Sequence, residues 1–327
     1  MHLRSFLQKI RVLPNGKNNK LMYYVRSTSR SFVPAFFLER ESQLLLKGWE
    51  SRPDANHIRD RVDYYNKLRA PRALLPNTSL VMDIHNSGNV YYRDSYEIVR
   101  YFNRSLRVAT AFGDNTRVPE VPAICKSRPI DGNVANAVLL NLDKVRHFTF
   151  LKDNRCFENK LDKAIFRGAI YRPQRIRFME AFFGNPLVDC GDTGHSVLRD
   201  EWRCSPISLY DHLRYKFIIA LEGNDVASNL KWIMSSNSVA VMPKPRFETW
   251  FMEGRLIPNY HYVEILDDYT DLTEKIKYYS QHPKEAEVIA HHANEWCRSF
   301  FNLKRERLIS LLVMKKYFQF TGQKSEV

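Results

Sequence analysis

The chain has 327 residues, 44% hydrophobic and 13% aromatic, which excludes a disordered tail, a small disulfide scaffold and a fibrous repeat. Lysine and arginine total 50 against 36 acidic residues, and the formal charge of +14 points to anionic partners: nucleic acid, phosphorylated small molecules or an acidic membrane surface. Chains of this length commonly divide into two packed domains, because a single core stops growing near roughly 250–300 residues.

Residues 1–38 carry Arg4, Lys9, Arg11, Lys17, Lys20, Arg26 and Arg30 and no acid. Interleaved with Phe6, Leu7, Tyr23 and Tyr24, they suit an anionic leaflet as well as an ordinary solvated surface. Helical spacing follows in SQLLLKGW and RDRVDYYNKL, then short strands in SLVMDIH and RVATAF with a helix, SYEIVRYFN, between them. NVANAVLLNLDKVRHF reads as a further helix. Beyond about residue 150 the pattern becomes regular. KAIFRG, PLVDCG, KFIIALEG, SVAVMPK and HYVEI predict strands. They alternate with helical segments in PQRIRFMEAFF, SLYDHLRY, ASNLKWIMSSN, DLTEKIKYYSQH and KEAEVIAHHANEWCRSFF, as a parallel α/β sheet requires. KRERLISLLVMKKYFQF closes the chain as a basic amphipathic helix. The predicted domains are residues 1–150, residues 151–300, and a C-terminal helix and tail at 301–327.

Cys125, Cys156, Cys190, Cys204 and Cys297 are an odd, scattered set without CxxC or zinc spacing, which predicts reduced thiols in the cytoplasm. The N-terminus lacks the apolar run of a signal peptide, and no segment approaches the ~20 apolar residues of a membrane span.

In open parallel sheets ligands bind beyond the carboxyl ends of the strands. FRGAIYRPQRIRF (166–178) leaves a strand, turns at Gly168 and enters a helix at Pro173 with Arg167, Arg172, Arg175 and Arg177 and no acid. Arginine forks beside free helix N–H groups suit a diphosphate, and the same residues also make a basic solvated helix face. ALEGNDVASNLKW (220–232) ends a strand at Glu222-Gly223, where Asn224 or Asp225 can cap a helix whose first turns hold Ser228, Asn229 and Lys231. Capping alone explains that segment equally well. Neither a P-loop nor a dinucleotide fingerprint is present. Asp114, after Gly113 in RVATAFGDNTRVPEVP, has the place of a general base or of an ordinary turn former. Asp267 and Asp268 with Asp271 offer a metal-binding DxD pattern, but their place just before a helix favours capping it, and His291, His292 and Glu287 are expected to form a solvated face. Glu248 and Trp250 line a pocket or pack a surface turn.

FRG with its following arginine, VDCGDT, YKFIIALEGNDVASNLKW and SNSVAVMPKPRFETWFMEGRLIPNYHYV together resemble the capsule-associated-protein domain of glycosyltransferase family 90 over roughly residues 105–300. The wording EGNDVASNLKW and ETWFMEGRLIPNYHY is most similar to the bacterial LpsA-type lipopolysaccharide glycosyltransferases, which are related to protein O-glucosyltransferases. The resemblance implies a GT-B-like α/β fold: two Rossmann-like domains facing a cleft, with the C-terminal helix returning to the N-terminal one. It also implies an inverting transferase that moves a hexose or pentose from a UDP-sugar, with no metal and no cofactor. Asp114 falls at the family's catalytic aspartate, and Arg175 at its diphosphate arginine, opened by Arg167 and Gly168. Asp189, Gly223, Asn224, Asp225, Ser228, Asn229 and Lys231 complete the expected donor site. Ala169 replaces a serine of the relatives, and Asn229 stands where the eukaryotic branch has an arginine.

The expected acceptor is a lipopolysaccharide or lipooligosaccharide core, met by a cytoplasmic protein that touches the inner face of the membrane, with no nucleic-acid partner. The alternatives are a capsule polymer or protein acceptor and, from a different class, a basic nucleic-acid-binding protein. The latter requires an aromatic–basic platform or a known module, and none is visible.

Overall fold

The computed structural model describes residues 12–81 and 89–324. Arg4, Phe6, Leu7, Lys9 and Arg11 of the basic start, and Met82–His85 of the expected SLVMDIH strand, lie outside the described residues. The strands in chain order are β1 (Thr110–Ala111), β2 (Ala123–Cys125), β3 (Ser127–Pro129), β4 (Ala137–Leu139), β5 (Leu161–Gly168), β6 (Val188–Asp192), β7 (Tyr215–Ile219), β8 (Val239–Met242), β9 (Phe247–Thr249) and β10 (Val263–Glu264). The chain forms two compact units. Among the described residues, a central unit holds 12–19, 146–245 and 253–299, and an N-terminal unit holds 20–81, 89–145, 246–252 and 300–324.

The central unit is built on a five-stranded parallel sheet in the order β6-β5-β7-β8-β10. Counted within the unit this is the doubly wound order 2-1-3-4-5. Its strands are continuous apolar runs because both faces are covered: Phe217, Ile218, Ile219, Val239 and Val241 are all buried. The helices Pro173–Phe182, Leu272–Gln281 and Pro283–Arg298 supply Phe178, Met179, Leu272, Ile276, Ala286 and Ile289 to the same core. Pro173 and Pro283 occupy first helical turns, where a missing N–H costs nothing.

In the N-terminal unit β1, β2 and β4 form a small parallel sheet, and β3 pairs antiparallel with β9. The NVANAVLL segment, expected to be helical, instead contributes β4, and only Lys144–His147 are helical. Ala137, Val138 and Leu139 are fully buried and pair with β2. A short unbroken apolar run is compatible with either structure until a partner strand decides it. The helix Leu303–Phe320 buries Leu308, Ile309, Leu311, Val313, Met314, Tyr317 and Phe318 in this unit. Its amphipathic face is therefore a core face, closed to a membrane.

Among the described residues no helix is long and apolar enough to cross a membrane. All five cysteines are free.

Candidate active site

The ligand crevice of a doubly wound sheet lies at the switch point, where strand order reverses. Here that point falls between the carboxyl ends of β5 and β7. β5 ends at Gly168, and the helix Pro173–Phe182 carries Arg175 back over it. Arg175 Nη1 donates to the Ala169 carbonyl (3.2 Å), Nε to that of Glu222 (3.1 Å) and Nη2 to that of Leu221 (2.8 Å). Its guanidinium thus clips the β5 exit to the β7 exit. A guanidinium has five N–H donors, and among the described residues no acceptor takes the remaining two. Burial pulls its pKa down, although a guanidinium stays charged.

Two glycines make room for this group. A Cβ on Gly168 would lie 3.4 Å from Arg175 Nη1, and one on Gly223 would lie 3.2 Å from Nη2. Gln174 Nε2 donates to the carbonyls of Glu222 (3.1 Å) and Gly223 (3.0 Å), which holds the 222–223 backbone against the helix start. Nearby, Asn224 Oδ1 accepts from Arg172 Nε (2.7 Å) and the Tyr171 hydroxyl (3.0 Å). Gly168, Arg175, Gly223 and Asn224 therefore converge, joined by Arg172, Tyr171 and Gln174.

Arg167 and Asp189 do not join that group. Side chains alternate along a strand, so Arg167 faces away from Phe166 and Gly168. Arg167 Nη2 pairs with Asp189 Oδ1 (2.5 Å), and the Tyr215 hydroxyl donates to Asp189 Oδ2 (2.5 Å). Although burial opposes it, these two donors hold the Asp189 carboxyl below the usual range. Burial, together with the bond to Asp189, pushes Tyr215 up to about 12.

The helix expected near Asp225 begins only at Leu230 and runs five residues, Leu230–Met234. Residues 222–229 are not helical, with bends at 223–226 and a turn at 228–229, so neither Asn224 nor Asp225 is its cap; Asn229 is, without a capping side-chain bond. Asn229 Nδ2 instead donates to the Ile219 carbonyl (3.0 Å), which pins the loop to β7. Ser228 is exposed and Asp225 buried. Lys231 is fully buried, with Nζ 2.5 Å from Glu253 Oε1, and presents no charge at the protein surface. An isolated buried ammonium is so costly that its partner was to be expected, but Glu253 lies 22 residues on and no local spacing announces it.

In the N-terminal unit Asp114 follows Gly113, whose φ of 116° is open only to glycine at low cost. Three elements fix the aspartate. Lys126 Nζ, between β2 and β3, forms an ion pair with Asp114 Oδ1. The Tyr91 hydroxyl, from the helix Val90–Val99, donates to the same oxygen at 3.3 Å, and the Tyr91 ring stacks on Phe112. The Asn115 N–H donates to Ser127 Oγ on β3 (3.2 Å). The Asp114 side chain keeps 20% of its exposure while Lys126 keeps 1%, so the carboxylate rather than the ammonium meets solvent. The position of Lys126, 12 residues on, gave no sequence signal of this partnership.

Other candidates are structural. Glu248 is buried on Arg128 (2.8 Å) and bonded by the Tyr64 hydroxyl. Trp250 stacks on Tyr65 at 3.7 Å and donates to Glu306 Oε2 at 2.7 Å. Neither lines a pocket or a surface turn: both lie in the core of the N-terminal unit. Asp268 and Asp271 accept backbone N–H bonds from Thr270 and Leu266, and Asp271 is the N-cap residue of Leu272–Gln281 without a capping side-chain bond. His291 is exposed beside Glu295, and Tyr260 stacks on His292. Among the described residues no group of three or more His, Cys, Asp or Glu is placed to hold a metal ion.

The family model described as glycosyl transferase family 90 matches residues 145–327. That range contains Arg175 but not Asp114. The chain is 40% identical over 303 residues, 92% of its length and 95% of the relative's, to "O-glucosyltransferase LpsA" of Dichelobacter nodosus. It is 27% identical to "Protein O-glucosyltransferase 3" of Homo sapiens over 52% of this chain and 34% of that one, and 27% identical to "Protein O-glucosyltransferase 2" of Danio rerio over 44% and 30%. A family match across more than half of the chain, together with a relative 40% identical over nearly its whole length, shows that this chain belongs to glycosyl transferase family 90 and is a glycosyltransferase.

Proposed function

We propose that this protein transfers a hexose, glucose in the first instance, from a UDP-sugar to a hydroxyl of a lipopolysaccharide or lipooligosaccharide core. In this reading its two units are those of a GT-B-like inverting transferase, working without metal or cofactor. The observation that carries the donor assignment is Arg175. It sits at the switch point of a doubly wound sheet, is cleared on two sides by Gly168 and Gly223, and keeps two N–H donors beyond those given to carbonyls. A diphosphate oxygen is the natural acceptor for such a fork, and UDP leaving with its charge stabilised is what glycosyl transfer requires. The name O-glucosyltransferase on the 40% identical relative supports glucose.

Asp114 is the proposed general base. It accepts the proton of the acceptor hydroxyl as that oxygen attacks the anomeric carbon from the face opposite UDP. Its fixed orientation, set by Lys126 and Tyr91, suits that task. The residues that hold the donor in this reading are Arg175, Gly168, Gly223 and Asn224, with Arg172 beside them; Arg167 and Asp189 support β5 and β6 from the other face.

The deciding experiment is a donor screen on purified protein. UDP release is measured from UDP-glucose, UDP-galactose, UDP-xylose and the N-acetyl forms, with and without truncated lipopolysaccharide. Acceptor-stimulated release from UDP-glucose is expected. Release that no lipopolysaccharide acceptor stimulates would remove the acceptor assignment and turn attention to a protein or capsule polymer.

A further inference from the structure

The acid-free N-terminal stretch is not one surface. Residues 12–19 belong to the central unit and 20–38 to the N-terminal unit. Tyr23 and Tyr24, which composition suggested for a lipid contact, turn toward the helix Val90–Val99: the Tyr23 hydroxyl donates to the Val90 carbonyl, and Arg93 lies over the Tyr24 ring. Arg30 is likewise taken by Glu97 at 2.5 Å.

What these contacts leave outside is apolar. On the helix Lys20–Ser31, Leu21 and Val25 lie one turn apart, and Phe32 follows just past the helix end. Phe32 is 81% exposed and Leu21 71%. The next helix, Ala35–Leu46, opens with Phe36 and Phe37, 63% and 58% exposed, and adds exposed Leu44 on the Phe37 face. Large apolar side chains grouped in this way on a soluble surface mark a site that something covers. The cations define what covers it. Lys20, Arg26 and Arg40 are exposed on the same two helices, the helix Lys20–Ser31 contains no acid, and Glu41 is occupied by Arg307 and Tyr101, which leaves Glu39 as the exposed acid. Aromatic rings beside lysine and arginine match the interface of an anionic bilayer, where rings enter the acyl boundary and cations meet headgroup phosphates.

We propose that Leu21, Val25, Phe32, Phe36 and Phe37, flanked by Lys20 and Arg26, seat this protein on an anionic lipid bilayer. This surface lies wholly in the N-terminal unit and stands independently of the reaction assigned above.

Co-sedimentation with vesicles of phosphatidylcholine, with and without phosphatidylglycerol, tests it. The full chain is expected to sediment with the anionic vesicles, more weakly with neutral ones, and less as salt rises. The variant Phe32→Ser/Phe36→Ser/Phe37→Ser should lower the partition coefficient at least about tenfold. Lys20→Glu/Arg26→Glu should lower it on anionic vesicles only. All five positions are exposed, so unchanged circular dichroism and Tm are expected, and the charge variant decides alone should the triple variant misfold. Three results would overturn the proposal: no binding by the unaltered chain, undiminished binding by both variants, or a dimer in sedimentation velocity that the triple variant abolishes. The last would show a second copy covering the face instead.

Discussion

Arg175 carries two duties at once, and they separate by measurement. Its bonds to Ala169, Leu221 and Glu222 tie two strand exits together, while its remaining N–H groups are the ones proposed to hold the donor diphosphate. Arg175→Ala should weaken UDP binding about 10- to 100-fold by calorimetry, the weight of charge-assisted hydrogen bonds. An unchanged Kd would leave Arg175 as a strand clip only. Asp114→Asn should lower kcat by about 10²–10⁴-fold and leave the UDP Kd intact. That substitution also breaks the ion pair between Asp114 and buried Lys126, so some loss of Tm is expected with it. Asp114→Asn/Lys126→Met should recover stability without recovering turnover; recovered turnover would mean that Asp114 is structural. Lys231 behaves oppositely. Lys231→Met breaks a buried ion pair with Glu253 and should cost about 3–5 kcal/mol of stability with little change in donor KM, whereas a KM effect at full stability would return it to the donor site.

Elements differ in how far their sequences announced them. The central strands were legible because a parallel strand covered on both faces is a continuous β-branched or aromatic run, as in Phe217–Ile219 and Val239–Met242. β4 was not, since Ala137–Leu139 alone carries no period and only pairing with β2 decides it. The start of the helix at Leu230 was misplaced because Asn224 and Asp225 look like caps, while tertiary bonds to Tyr171, Arg172 and Ile219 hold the loop open. Of the candidate site, the strand exits at Gly168 and Gly223 were marked by their segments and Arg175 was singled out by the family resemblance, while the buried partners of Asp114 and Lys231 left no signal. At this scale a pH effect follows. The helices Lys20–Ser31 and Val90–Val99 meet through Glu97, which sits 2.8 Å from Lys144 and 2.5 Å from Arg30. Burial works against the charge, yet these cations hold Glu97 down at about 2 from an ordinary 4.5. A depressed carboxyl stabilises fully above its unfolded pKa and loses that contribution as pH falls through the folded one. About 3 kcal/mol should therefore vanish between roughly pH 4.5 and 2, and Glu97→Gln should flatten that part of a Tm-against-pH curve.

For the whole molecule, neither unit is a continuous length of chain: residues 246–252 and 300–327 complete a unit that began at residue 20. No composition shift marks those returns, because their partners are distant: Glu248 meets Arg128, and Glu306 meets Arg61 and Trp250. Ending the chain before Asn302 should therefore damage the N-terminal unit selectively. Limited proteolysis is expected to cut within residues 20–145 and spare 146–245; equal protection of both would contradict it. The Leu303–Phe320 helix also sets a timetable during synthesis. The Tyr317 hydroxyl donates to the Pro122 carbonyl and accepts from the Ala109 N–H, so residues 20–145 leave the ribosome well before the helix that closes their core. Folding order then runs against chain order. Residues 20–145 stay open until residues 303–320 are made, within reach of chaperones, and a premature stop upstream of that helix yields a chain whose N-terminal unit is never sealed.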